Sequence, residues 1–529
     1  MIVDSKMNFF RLGFSFLLSL MVVTVNAQDS LIDLIKAGRG NDALAAIEAG
    51  ADVNATEADG TTALMHATYQ VNLEIVDALI EAGAAADATN NYGATALAEA
   101  VKLNNAELVR TLLEAGADAD SPNLDNQTAL MLTAYIGNRE IAQILIEAGA
   151  QVNAIETFRG QTALMWAASE NNPDVFELLL ANGADVSPMA YYDDWPRQMT
   201  SEPRAQFLPT GGLSALHYAT RSGCYRCAVA IVEAGADINQ PNPDGVTPLL
   251  NAIDNKNFDI AMYLIDQGAK VEVWDMNGRT PLLLAVDMNS FTPNGFGFGS
   301  LNESFNSRGV NERNISAMDI VRRLLDMGVE VNHQLTRMRP NGPGRGRFAD
   351  YDMRGGTHAL LIAVFTHDHE AMEALLEHGA DANLRNVYRI TPLMYAAGMS
   401  GNGRAPAGST GADIQQKAIR TIDMLLDAGA DIDAQVNDSH TFTAKLDTYI
   451  QWKDNEGRSA LHSAAELGWD LVARHLVERG ADTTLRDAEG KTALDLALEP
   501  VPEANRPGRG PSAEGRRAVV ELLGGQTLR

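Results

Sequence analysis

The chain has 529 residues, and its 69 acidic and 41 basic side chains give a formal net charge of −28 at neutral pH. Nucleic-acid phosphates and anionic lipid headgroups repel a protein this acidic. The charge is uneven, because residues 28–183 hold 23 acidic and six basic side chains. Composition therefore excludes a general nucleic-acid binder and argues against adhesion to an anionic membrane.

Residues 1–27 have the pattern of a secretory signal peptide. A basic start precedes residues 12–25, an uncharged and largely apolar run of 14 residues that is too short for a usual membrane span. Small residues at Val25-Asn26-Ala27 suit a cleavage site. We expect a mature chain that begins at Gln28, is periplasmic or secreted, and has no stable membrane insertion after cleavage; an uncleaved anchor is the alternative.

One sequence motif recurs along residues 50–183, and the spacing between its copies is nearly constant. An Ala-rich amphipathic run ends at a Gly-Ala pair, and a short polar segment then leads to Thr-Ala-Leu. The glycines are Gly50, Gly83, Gly116, Gly149 and Gly183, and the threonines are Thr62, Thr95, Thr128 and Thr162. Steps of 33 or 34 residues indicate a stacked repeat.

The copy that contains Thr62 shows how one repeat would fold. The Thr62 hydroxyl can cap a helix N-terminus. A second helix is predicted over residues 73–82, with its apolar side chains on one face. Gly83 would end that helix in the left-handed conformation. Two such short helices cannot bury their apolar faces alone, so they must stack on neighbouring copies.

The phrase Gly60-Thr61-Thr62-Ala63-Leu64, with Gly50-Ala51-Asp52-Val53-Asn54 before it, resembles the ankyrin repeat. His217 and His462 keep the histidine of the family pattern, while Met65 is one of several methionines that replace it. The resemblance implies an all-α solenoid of about eleven ankyrin repeats plus an N-terminal cap. It also implies a scaffold for protein–protein interaction that catalyses nothing and needs no cofactor.

The chain order gives a domain organisation. Residues 28–54 are a capping helix pair, residues 55–186 are regular repeats, and residues 187–529 are repeats with long insertions. The insertions are 187–212, 290–314, 330–356, 398–413, 434–457 and 499–515. In the ankyrin architecture the first, third and fifth lengthen the turns between repeats, the so-called fingers, and the second and fourth separate the two helices of a repeat.

The resemblance also implies where a partner would bind. In ankyrin repeats the residues four, seven and eight after the capping threonine line the concave face. Those positions and the fingers supply the expected partner-binding residues: Tyr69, Tyr135, Trp166, Tyr218, Arg221, Phe365 and Tyr395 on the face, and Trp195, Arg337, Arg339, Arg345, Arg347 and Trp452 in the fingers. Aromatic and arginine side chains are typical interface anchors. The alternative is that each ring packs on its neighbouring repeat and that the fingers are solvated loops.

Cys224 and Cys227 form a C-x-x-C pair at the predicted start of a second helix. An exported protein meets oxidising conditions, which favours a disulfide. Residues three apart in a first helical turn place their Cα atoms about 5 Å apart, within the range a disulfide allows. Free thiols and a redox enzyme that uses this pair, or a site built by an insertion, are the alternatives.

Other candidates for chemistry are weak. His367-Asp368-His369-Glu370 could ligate a metal, but a polar turn between helices explains it equally without a further ligand at fixed spacing. No nucleophile and base stand at a recognisable spacing. We therefore expect no catalytic, cofactor or metal site; a secreted effector that binds host proteins is a further interpretation that the residues do not separate from a periplasmic scaffold.

Overall fold

The computed structural model describes residues 29–193, 211–290, 314–336, 356–399, 412–437, 455–500 and 512–524. In these residues the regular structure consists of 24 helices, joined by turns that contain only isolated β-bridges. The predicted all-α fold is confirmed. The chain divides into two compact units, Met1–Ser121 and Pro122–Arg529, and the division falls between the second and third predicted repeats.

Unit 1 contains the predicted capping pair and two repeats. Its helices are α1 (Leu31–Lys36), α2 (Gly40–Glu48), α3 (Ala63–Tyr69), α4 (Leu73–Glu81), α5 (Ala96–Lys102) and α6 (Ala106–Glu114). The first helices of successive pairs contact one another, α1 with α3 and α3 with α5. The apolar side chains of these helices are buried between the layers, as the stacking argument requires.

The described residues of unit 2 contain nine further helix pairs. The first four pairs are α7 (Ala129–Ile136), α8 (Arg139–Glu147), α9 (Ala163–Ser169), α10 (Pro173–Ala181), α11 (Ala215–Ser222), α12 (Tyr225–Glu233), α13 (Pro248–Asp254) and α14 (Phe258–Asp266). The other five are α15 (Pro281–Ser290), α16 (Ala317–Asp326), α17 (Ala359–Thr366), α18 (His369–Glu377), α19 (Pro392–Ala396), α20 (Ala412–Asp427), α21 (Ala460–Leu467), α22 (Asp470–Glu478), α23 (Ala493–Leu498) and α24 (Ala513–Leu522).

Local sequence explains where the helices begin and end. The Thr128 hydroxyl accepts from the Met131 backbone N–H at 3.3 Å, and Thr162 does the same for Met165. Gly149 ends the following helix with φ of +95°, a conformation that any other residue adopts at a cost. The threonine and glycine spacing therefore predicted the helix boundaries to within a residue or two.

Asparagine side chains tie several of the repeats to the next one. Asn153 Nδ2 donates to the Gly183 carbonyl at 3.0 Å, and its Oδ1 accepts from the Asp185 N–H at 2.8 Å. Asn383 makes the equivalent pair of bonds to the repeat after it. Because one side chain satisfies a helix-end carbonyl and a loop amide, it fixes the spacing between layers.

The three lengthened fingers leave and rejoin the stack through paired backbone segments. Leu335 N donates to Thr357 O at 2.8 Å, and Val436 N donates to Arg458 O at 2.9 Å. Ala190 N bonds to Leu213 O at 2.9 Å at the base of the first finger. The predicted insertions therefore start from closed bases, while most of their residues lie outside the described ranges.

Candidate functional site

In unit 1 the predicted binding residue Tyr69 lies at the end of α3 with its side chain exposed. The same helix carries His66, whose Nε2 lies 2.8 Å from Glu57 Oε2, and Lys36 Nζ donates to Glu57 Oε1 at 2.6 Å. Hydrogen bonds from Lys36 and from His66 hold the pKa of Glu57 below its ordinary value. Helix α3 thus presents an aromatic ring, and its His66 contacts the ion-paired carboxylate of Glu57 in the preceding turn.

In unit 2 two predicted residues from adjacent repeats meet edge to face. The Tyr135 ring on α7 lies 5.9 Å from the Trp166 ring on α9, at an interplanar angle of 72°. Tyr135 is 54% exposed, and Trp166 is half-buried. An edge-to-face pair fixes both rings while leaving apolar area open to a partner.

Tyr218 on α11, the next predicted residue, is only 7% exposed, so its ring is largely covered and its role as a partner contact stays a prediction. Gln161 Nε2 donates to its hydroxyl at 2.6 Å. The Arg221 guanidinium lies over the ring, with Cζ 4.9 Å from the centroid. Arg221, which was also predicted, is exposed, so this repeat presents the predicted cation while its aromatic ring is covered.

Further along unit 2 the same face becomes polar. Arg279 is almost buried between Asp254, at 3.1 Å, and Asp275, at 2.6 Å. Burial lowers the pKa of Arg279, but the two carboxylates outweigh it and raise the pKa above its ordinary value. This ion-paired group is a structural contact between repeats, because both carboxylates are already occupied.

Phe365 on α17 and Tyr395 on α19 form a second edge-to-face pair, with centroids 5.7 Å apart and an interplanar angle of 68°. Tyr395 is 5% exposed and Phe365 is half-buried. The burial of Tyr395 matches the alternative of packing on the neighbouring repeat, and its role as a partner contact stays a prediction. Its ring serves the contact between repeats.

The finger residues predicted to bind a partner lie outside the described residues. They are Trp195, Arg337, Arg339, Arg345, Arg347 and Trp452. The bases of their fingers are described, and Gln334 and Gln435 occupy equivalent places there. Each amide donates to a glycine carbonyl at the returning end and to an arginine carbonyl of the next repeat. The second and third fingers therefore share one anchoring arrangement.

Several exposed apolar residues of the regular turns were not singled out from the sequence. Leu124 is 76% exposed and Phe158 is 71% exposed, each in a turn between repeats. Trp274 is also exposed and stacks on His333, with ring centroids 5.8 Å apart. In the sequence, a bulky apolar residue beside the Asn, Asp or Gly of a turn could have indicated these exposed side chains.

Comparison with known families fits this helix-pair architecture. The model described as "Ankyrin repeats (3 copies)" matches residues 31–123, 118–190 and 216–292, and the model "Ankyrin repeat" matches residues 456–488. Together the matched segments cover about half of the chain. The chain belongs to the ankyrin repeat family. Between the third and fourth matches the helix pairs continue, interrupted by insertions that break the repeat length.

Two curated proteins resemble part of this ankyrin repeat chain. The transient receptor potential cation channel subfamily A member 1 homolog of Caenorhabditis elegans is 26% identical over 144 residues, and the B-cell lymphoma 3 protein homolog of Mus musculus is 29% identical over 143 residues. Each match covers 27% of this chain, but only 9% of the first relative and 24% of the second. The likeness therefore concerns the repeats, which indicate a protein–protein interaction scaffold.

The cysteine pair lies at the N-terminus of α12. The structure joins Cys224 and Cys227 by a disulfide, with Cα atoms 5.2 Å apart, and both side chains are fully buried. The Cys227 N–H also donates to Cys224 Sγ, which takes the place of a polar cap. The bond in the native protein stays a prediction.

The histidine turn joins α17 to α18 of the ankyrin stack. His367 Nδ1 and His369 Nε2 each lie 3.0 Å from Thr421 Oγ1, which donates to the Lys417 carbonyl. Burial lowers the pKa of His367 to about 4, with His369 and Lys417 adding to the effect. Over the described ranges, no group of three or more His, Cys, Asp or Glu side chains is placed to hold a metal ion.

The described helices were also compared with the length and apolarity that a lipid bilayer requires. None of those helices is long and apolar enough to cross a membrane. Residues 1–27, which carry the predicted signal peptide, lie outside the described part.

Proposed function

We propose that this ankyrin repeat protein is a non-catalytic scaffold that binds a partner protein through the helix face of unit 2 centred on Tyr135 and Trp166. The observation that supports it most is the open edge-to-face pair, since Tyr135 leaves more than half of its side chain uncovered. Tyr and Trp rings supply large contact area at a low entropy cost, and they dominate binding energy in many interfaces.

The surroundings of the pair suit an interface. Ile136, at the end of α7, adds an exposed apolar side chain, and Arg221 two repeats on supplies an exposed cation. An apolar centre with a polar rim is the usual anatomy of a protein–protein interface. Arg221 stacks on Tyr218, so its position is held before a partner arrives.

The fingers extend the proposal. Trp195 and Trp452 are proposed as apolar contacts, and Arg337, Arg339, Arg345 and Arg347 as cationic ones that raise the association rate and its salt dependence. Shortening all three fingers to the regular turn length is expected to preserve the helical fold, because their bases are closed by backbone hydrogen bonds. It is expected to abolish binding of the native partner.

The binding face is tested by affinity capture from the native source, with the full chain immobilised and the bound proteins identified. A specific partner should be retained by the wild type and lost with Trp166→Ala. Met327→Ala is a matched control, because Met327 is exposed at the end of α16, outside the proposed face. Equal retention by both variants would contradict the proposed face.

The redox alternative has its own test. Both cysteine side chains are fully buried, so an incoming thiol could not reach either sulfur without opening α12. Thiol–disulfide exchange requires access to the attacked sulfur. We expect no acceleration of insulin reduction by the dithiol form, and efficient reduction would support the enzyme instead. Non-reducing alkylation followed by mass spectrometry tests the disulfide.

Export belongs to the proposal as well. We infer a chain that is exported and cleaved before Gln28, supported by the basic start, the apolar run and the small residues before that position. N-terminal sequencing of the native protein should begin at Gln28. An intact leader on a protein recovered from the cytoplasm would contradict export, and fractionation would separate a periplasmic scaffold from a secreted effector.

A further inference from the structure

The turns between the repeats of unit 2 carry apolar residues at their exposed tips. Five consecutive turns contribute to this row, which we name the turn ridge. It consists of Leu124, Phe158, Tyr191 with Tyr192, Pro243 and Met276. Leu124, Phe158 and both tyrosines are well exposed, Pro243 is exposed and Met276 is half-buried. A contiguous exposed apolar surface commonly marks an interaction site.

Backbone hydrogen bonds join several of these turns side by side. Thr157 N donates to Asp125 O at 2.8 Å, Tyr191 N donates to Arg159 O at 2.6 Å, and Met276 N donates to Asp244 O at 2.8 Å. The backbone therefore holds the tips in register from one repeat to the next.

Packing connects the tips across the remaining step. The Tyr191 ring lies against Gly160, where a Cβ would come within 2.6 Å of the ring. Pro243 packs on Gly212 in the same way, and Tyr192 Cβ lies beside that glycine. The glycines thus let bulky residues of one turn rest on its neighbour, which makes the ridge continuous.

The dimensions of the ridge favour an extended occupant. Packed helices lie about 8–10 Å apart, so the four steps between five turns span roughly 32–40 Å. Each turn contributes one or two apolar side chains, so the ridge is narrow for its length. An extended segment rises about 3.3 Å per residue, and about 12 residues would cover it.

Charge indicates the chemistry of that occupant. Residues 122–290 hold 20 acidic and nine basic side chains. Within the turns of the ridge, Asp125 and Asp193 are exposed carboxylates. Among the described residues of these turns, Arg159 and Lys270 are the exposed cations, and the guanidinium carbon of Arg159 lies 5.5 Å from the Phe158 ring centroid. A cation already engaged with a ring offers less to an acidic partner than the two open carboxylates offer to a basic one.

We infer that the turn ridge is a second docking surface, and that it receives an extended segment of a partner protein that combines apolar side chains with a net positive charge. This inference rests on the proposed function, because it assigns a partner chemistry to a scaffold. A basic segment differs from the acidic partner surface that the arginines of the second finger would favour. The ridge lies on turns, and Tyr135 and Trp166 lie on α7 and α9, so the two surfaces make separate contacts.

Site-specific photo-crosslinking tests the inference in cells that produce the protein naturally. A benzophenone amino acid replaces Phe158 in one full-length variant, Tyr135 in a second and Met327 in a third, and light-dependent products are sequenced. Phe158 is suited because so little of its side chain is covered. The Leu124 position serves as a duplicate if the Phe158 variant fails to fold.

We expect a crosslink at Phe158 to a segment of another protein in which Lys and Arg outnumber Asp and Glu, with a yield at least tenfold above that at Met327. An acidic or neutral segment, a second copy of this chain, or equal yields at Phe158 and Met327 would overturn the inference. A crosslink at Tyr135 without one at Phe158 would refute the ridge as a docking surface and would still support the proposed function. No crosslink at either position contradicts both.

Discussion

Two aromatic pairs of unit 2 occupy equivalent repeat positions and differ in exposure. Tyr135 with Trp166, and Phe365 with Tyr395, each join the seventh residue after one cap to the fourth residue after the next. Their centroids lie 5.9 and 5.7 Å apart, and their interplanar angles are 72° and 68°. The first pair is open on its Tyr135 side, whereas Tyr395 in the second is buried.

Repeat position therefore fixes the geometry of the ring pair, whereas the neighbouring residues decide how much of it is exposed. Helix α9 spans seven residues around Trp166, but α19 spans five around Tyr395. After α19 the chain turns at Gly398, where the insertion 398–413 begins, and the next residue, Met399, is buried. We therefore interpret the first pair as a binding surface and the second as part of the core.

The largest expected effect separates the pairs by stability. Tyr395→Ala removes a buried ring and should lower the free energy of unfolding by about 3 kcal/mol or more. Tyr135→Ala removes an exposed ring and should cost about 1 kcal/mol, mainly from the lost edge contact. Urea unfolding followed by circular dichroism measures both midpoints, and equal shifts would refute the distinction.

Binding should separate the pairs in the opposite sense. Trp166→Ala is expected to raise the dissociation constant for the native partner about 30-fold, which is about 2 kcal/mol, because it removes a central anchor. Phe365→Ala is the matched control, since it changes the equivalent ring pair, in which Tyr395 is buried. Calorimetric titration gives the dissociation constants, and a comparable loss in both variants would show that neither pair is a specific site.

Acid should lower the stability of the helices around the buried pair, α17 and α18, and leave that of the helices around the exposed pair, α7 to α10, unchanged. Burial lowers the pKa of His358 to about 4, and that of His367 likewise, whereas α7 to α10 contain no histidine. The unfolded chain takes up these protons below about pH 6.5 and the folded chain only near pH 4. Stability is thus complete above pH 6.5 and is lost as the pH falls toward 4.

At pH 5 the expected loss from His358 is about 2 kcal/mol. Hydrogen exchange at pH 7.5 and pH 5.0, corrected for the intrinsic rates, should show reduced protection in α17 and α18 and unchanged protection in α7 and α9. His358→Asn, which does not titrate, should reduce the pH dependence in α17. Uniform loss of protection across unit 2 would contradict this assignment.

The smallest effect concerns Tyr218, which lies between the two pairs in sequence. Gln161→Ala removes the hydrogen bond to its hydroxyl and should cost about 1 kcal/mol, because the phenol then loses a partner at the face. Tyr218→Phe, which removes the same bond from its other end, should lower the midpoint by a similar amount. If Gln161→Ala unfolds at the wild-type midpoint in urea, the bond to Tyr218 contributes nothing measurable.

Much of the fold was predictable, because the repeat dictates it locally. Thr162 and Gly149 mark helix boundaries through capping and positive φ, which are properties of single residues. Exposure on the helix face was not predictable to the same degree. Tyr218 is covered by Gln161 and Arg221, contacts that depend on how neighbouring repeats place long side chains.

The turns posed a different difficulty for prediction. Leu124 and Phe158 sit where the core sets no requirement, so hydrophobic periodicity gives them no weight. Their alignment depends on backbone bonds between turns, such as Thr157 to Asp125, which appear only in three dimensions. The sequence shows each residue, and the stack shows that they form a row.

Hydroxyl-radical footprinting of the full chain, with and without its captured partner, reports which aromatic rings the partner covers. We expect oxidation of Tyr135 and Trp166 to fall severalfold on binding, while Tyr395 is weakly oxidised in both states because it is buried. Unchanged oxidation of Tyr135 and Trp166 at saturating partner would contradict the assignment of the open aromatic pair as the binding surface.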